Sequence, residues 1–137
     1  MKSNRFLGLA ALAAALFMVT DLAVGQNGDK LTNKQIMIKL NNPSKGVFAK
    51  LKKDLMESSP DWSTITKESK EIVTLTEALA MNSPRKGAKD NWDKMTETYT
   101  KNAKALAEAC EKMDLKNAKS AQQAIVGACS RCHQAHK

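Results

Sequence analysis

The sequence predicts an all-α fold, an antiparallel up-down bundle of four helices, on three observations. Apolar residues recur at spacings of three and four through four long segments, the period of a helix with one buried face. Strand signals are missing: no alternation of apolar and polar residues is sustained, and no Asn-Gly or Asp-Gly pair joins two apolar runs. The connections are short, so consecutive helices should pack side by side in opposite directions.

Each segment has its own warrant. Residues 1–25 stand apart from the fold: Lys2 and Arg5 precede an apolar or small run over 6–19, and Ala23 and Gly25 give a small-x-small site before Gln26. These are the parts of a secretory leader. The run is short of the roughly 20 apolar residues that span a bilayer. The expectation is an exported, periplasmic domain over residues 26–137, with no membrane segment after cleavage. The first helix is expected from about 31 to 57, carrying Ile36, Met37, Leu40, Phe48, Leu51 and Leu55, with a kink or break over 41–45 at Pro43. Ser58-Ser59-Pro60 reads as a cap and first-turn proline for the second, which carries Trp62, Ile65, Ile72, Leu75 and Leu79. The third has one seam of Trp92, Met95, Tyr99, Ala103, Leu106, Cys110 and Met113. The fourth follows Asp114, a capping residue, with Leu115, Ala118, Ala121, Ile125, Ala128 and Cys132.

The formal net charge is +8. Removing Lys2, Arg5 and Asp21 with the leader lowers it by one. Lysines are interleaved with acids and not gathered into runs, and few aromatics stand among them, which argues against nucleic-acid binding. A basic surface that steers an acidic partner protein fits better. The three cysteines, Cys110, Cys129 and Cys132, are an odd number, so a disulfide framework would leave one thiol over.

Near the end stands "CSRCH", residues 129–133. C-x-x-C-H is the attachment signature of haem c. Cys129 and Cys132, three apart on a helix, share a face, so their sulfurs can bond the two vinyl groups on one side of a porphyrin. His133 follows directly and can bind the iron. Three other uses compete. A redox C-x-x-C needs a strand before it and a helix after it, whereas this one ends a helix. Zinc wants a second ligand pair, and only Cys110 and His136 remain. A plain disulfide is the third. Cys110 sits on the third seam and reads as a buried, inert thiol. Met56, Met81, Met95 and Met113 read as core, His136 as a solvent-exposed terminal residue, and Arg131 as a partner for haem propionates or for water.

A helical bundle with C-x-x-C-H on its last helix resembles the class II c-type cytochromes, cytochrome c′ and its low-spin relatives. The resemblance is specific at the last helix, where the family ends in C-x-x-C-H, two residues, an aromatic and a basic residue. His136 stands where the aromatic is usual, and Lys137 matches the basic position near the proximal haem edge. The resemblance implies one covalent haem and one-electron transfer with redox partner proteins. No substrate is transformed, so the chain is not expected to be an enzyme. It also implies a tendency to form a homodimer through the first two helices. The sixth iron position is supplied in the family from the first helix, by methionine in low-spin members, while gas-binding members leave it open under an apolar residue. Met37 falls near that place, as a ligand or as ordinary core; a kink at Pro43 would offer Ile36 or Leu40 instead and leave a five-coordinate site open to a small gas such as NO or CO.

Overall fold

The computed structural model describes residues 30–137, and the expected leader and cleavage site lie outside the described residues. Five helices are present and, among the described residues, no strand: α1 (Asn33–Asn41), α2 (Val47–Asp54), α3 (Trp62–Ala80), α4 (Lys89–Glu111) and α5 (Leu115–His136). None is long and apolar enough to cross a membrane. The first expected segment is therefore two helices. Asn42 ends α1, and its side-chain oxygen accepts from the backbone N–H groups of Ser44 and Lys45, at 3.0 and 2.9 Å. Pro43 lies inside that turn, where its missing N–H costs nothing. Gly46 then brings the chain hard against it: a Cβ there would sit 2.5 Å from Asn42 N and 2.8 Å from Leu40 O. Only glycine allows this approach.

The helix starts are set by side chains. Thr32 and Gln35 form a reciprocal capping box on α1. The cap of α3 is Asp61, not the Ser58-Ser59-Pro60 stretch. Its carboxylate accepts from Ser63 N and Thr64 N and, at 2.7 Å, from the Thr64 hydroxyl. Those bonds hold the Asp61 carboxyl below its ordinary value, the Thr64 hydroxyl contributing most. Asp114 caps α5 as expected, accepting from Asn117 N at 3.0 Å. Met113, at φ 56°, takes the left-handed conformation that turns the chain out of α4.

The core gathers Ile36 and Leu40 from α1, Leu51 from α2, Ile72 and Leu79 from α3, Leu106 from α4 and Ile125 from α5. Each such side chain contributes about 1.5–3 kcal/mol through burial. Three methionines expected in this core are outside it: Met56, Met81 and Met113 are 71%, 77% and 64% exposed. All three stand just past a helix end, where the chain leaves the helical path and an extrapolated seam no longer faces inward. α3 packs along α4 and α4 along α5, while α1 and α2 lie against α3 and each other. α5 is packed along its length only by α4. Lys70 pairs with Glu111 and Glu77 with Lys104, each at 2.8 Å, across α3 and α4.

Glu68 on α3 has a carboxylate oxygen buried without a hydrogen-bond partner. Burial first, then the Asp54 carboxylate, push its pKa up to about 7, with Lys50 opposing. A folded-state value above the ordinary 4.5 means that the folded protein holds the proton longer than the unfolded chain. Stability therefore falls as pH rises from about 4.5 to about 7. Glu68→Gln is expected to be more stable than wild type at pH 8, by about 1 kcal/mol or less after solvent screening, and equal to it near pH 4. Urea denaturation at the two pH values checks this.

Candidate functional site in the cleft beside the last helix

The last two turns of α5 carry Cys129, Arg131, Cys132 and His133 to the edge of a cleft with about 880 Å³ of empty space, its open mouth included. α1 contributes Met37 and Asn41 to the lining, α3 contributes Leu79, and α4 contributes Lys94, Met95 and Tyr99. The cleft exists because α5 has α4 on one side and no helix packed along the other.

Four of the five residues expected at the site, Cys129, Cys132, His133 and Met37, line this one cleft. Lys137 does not. It is exposed at the end of α5, where its backbone N–H donates to His133 O at 3.1 Å. Ile36 and Leu40 are fully buried in the core and absent from the lining, so of the three α1 candidates Met37 alone faces the cleft. The break at Pro43 comes after Asn41 and leaves the direction of α1 undisturbed through Met37. Met95, expected in the core, is half-buried and lines the cleft.

Cys129 and Cys132 are half-buried free thiols, and Cys129 Sγ donates to Ile125 O at 3.6 Å. Burial pushes both thiols up, and Cys129 raises Cys132 further. Burial also raises the Tyr99 hydroxyl, with smaller contributions from the two cysteines. At neutral pH all three stay protonated. Reactive redox thiols sit instead at helix N-termini, where the dipole lowers the pKa; these two stand at the negative end of a helix. Among the described residues no three His, Cys, Asp or Glu side chains form a group that could hold a bare metal ion. Cys110 is fully buried on α4, its thiol pushed up by burial.

His136 corrects the expectation of an exposed terminal histidine: it is 6% exposed. Its Nδ1 donates to the Lys86 carbonyl at 3.0 Å, and its Nε2 lies 2.8 Å from the Asn91 side-chain oxygen. A doubly protonated ring would donate to both oxygens, and a neutral one needs the Asn91 amide turned to present its nitrogen. The ring also meets Trp92 edge-on, with centroids 5.3 Å apart. Gly87 lies beneath it at φ 85°, and a Cβ there would stand 2.7 Å from both His136 Nδ1 and Ala135 O. The same connection holds the start of α1: Lys30 Nζ donates to Met81 O, and Asn33 Nδ2 to Ser83 O at 2.8 Å. Asn82 donates to Leu31 O and Asn33 Oδ1. One stretch, residues 81–91, thus fastens the helix that carries Met37 and the helix that carries Cys129, Cys132 and His133.

Compared with protein-family models, with curated proteins and with solved structures, the chain matches none.

Proposed function

We propose that this chain is an exported one-electron carrier of class II c-type cytochrome type. A single haem c is attached through Cys129 and Cys132, His133 binds its iron, and Met37 supplies the sixth ligand. The observation that carries this reading is the meeting of Cys129, Cys132, His133 and Met37, from opposite ends of the described chain, in one cleft. The donor chemistry fits. Two thiols three residues apart suit the vinyl groups, and imidazole and thioether suit an iron that works as an electron carrier. Protonated thiols supply both the sulfur and the hydrogen that thioether formation adds across each vinyl group. When bound, the group supplies an iron that cycles between ferric and ferrous by one electron.

The chain's own residues do the rest. Leu79 and Tyr99 line the cleft and shield it from water, which favours the less charged ferrous form. Lys94 and Arg131 line the cleft as cations for the haem carboxylates, and Lys137 adds a third basic group one turn beyond His133. The surrounding positive charge steers acidic redox partner proteins toward the cleft. The Lys70–Glu111 and Glu77–Lys104 pairs run in reverse order along α3 and α4, which supports the up-down topology of the bundle.

Optical spectra of the protein made in a host that attaches haem c test this reading. Oxidised, reduced and reduced plus carbon monoxide, the carrier is expected to be low-spin and indifferent to the gas. Met37→Ala should convert it to a high-spin form that binds carbon monoxide. A wild-type spectrum already high-spin and shifted by the gas would replace the carrier with a gas-binding protein. Absence of any haem band would end both.

A further inference from the structure

We propose that Asn41 is a positioning residue for the Met37 thioether, holding the sulfur in place on the cleft wall and drawing on one of its two lone pairs. The inference rests on the reading of Met37 as the sixth iron ligand. The observation behind it is a side-chain contact: Asn41 Nδ2 donates to Met37 Sδ at 3.7 Å, one helical turn apart, and both residues line the cleft that holds Cys129, Cys132 and His133.

The local sequence makes Asn41 available for this. An asparagine at a helix end usually spends its side chain on the backbone of the turn that follows. Here Asn42 does that work through Ser44 N and Lys45 N, so the Asn41 amide is left to reach back along the helix. A flexible methionine has three rotatable bonds and settles into whatever space it finds. Met37 needs fixing, because it is only half-buried while its neighbours Ile36 and Leu40 carry the packing. The amide supplies a direction that packing does not.

A thioether sulfur has two lone pairs. One can bind iron while the other accepts from Asn41, and the two roles do not compete. The amide hydrogen places partial positive charge beside the ligand, which opposes the extra positive charge of ferric iron. Asn41 therefore favours the ferrous form as well as setting the sulfur's orientation.

The test uses the haem-loaded protein equilibrated with a one-electron redox dye, comparing wild type, Asn41→Leu, Asn41→Gln and Met37→Ala. Asn41→Leu keeps the size and removes the donor. It should stay low-spin, with its ferric-to-ferrous ratio at fixed dye poise raised about three- to tenfold, the effect of losing one hydrogen bond. Asn41→Gln, which retains an amide donor, should recover part of that change. An Asn41→Leu protein with unchanged ratio, while Met37→Ala still loses the low-spin spectrum, overturns the role of Asn41 alone. A low-spin spectrum that survives Met37→Ala, or no haem at all, overturns the inference together with the reading it rests on.

Discussion

Replacing both Cys129 and Cys132 with serine is expected to abolish covalent haem attachment outright. Denatured protein from an attachment-competent host should lose all haem staining at the chain's mass, while the wild type keeps it. Neither serine can form the thioether, and no other described thiol is within reach, because Cys110 is buried on α4. The fold should survive: both thiols are half-buried, and serine is close in size. The single variants are expected to keep one bond each and so retain part of the stain. His133→Ala should differ from all of these. It keeps the sulfurs and loses the iron's protein ligand, giving attached haem with an altered spectrum. Stain in the double serine variant equal to wild type would sink the whole assignment of the cleft.

The second large effect lies away from the cleft, at Gly87. Gly87→Ala is expected to cost about 2–3 kcal/mol: the left-handed conformation at φ 85° strains any residue with a Cβ, and the new atom meets the Ala135 carbonyl and the His136 ring at 2.7 Å. For a domain of this size that lowers Tm by roughly 10 °C. His136→Ala should lose a similar amount, from two hydrogen bonds and the edge contact with Trp92. The two changes strike one contact, so the double variant should fall well short of the sum. Thermal melts of the four proteins complete the cycle; additive losses would mean that Gly87 and His136 act separately.

Which residues could be placed from the sequence is a matter of distance along the chain. Cys129, Cys132 and His133 lie within five positions, so their meeting on one stretch of helix follows from spacing alone. Pro43 and Asp114 act on the turn beside them and were equally readable. His136 is buried by Lys86, Asn91 and Trp92, the hydrogen-bonding pair 50 and 45 positions away, and no local pattern reports a partner so distant. Met113 continues the spacing of its seam on paper but falls past the end of α4, and Met56 and Met81 likewise lie past the ends of α2 and α3, where helical spacing has lost its meaning. Met37 lies between these cases. Its place on α1 followed from spacing, whereas its turn toward the cleft depends on Ile36 and Leu40 filling the core instead.

The single-sided packing of α5 bears on the order in which such a protein is completed. A helix held along one face opens locally at lower free energy than one enclosed on two. On the proposed function, the chain would close the core around α3 and α4 while the segment bearing Cys129 and Cys132 still swings out for haem attachment. His136, docked on Lys86 and Asn91, and the core contacts of Ala128 and Cys132 would have to let go. On the proposed function, a ring bonded to those sulfurs would stand where α5 lacks a neighbour and turn a movable flap into a fixed wall.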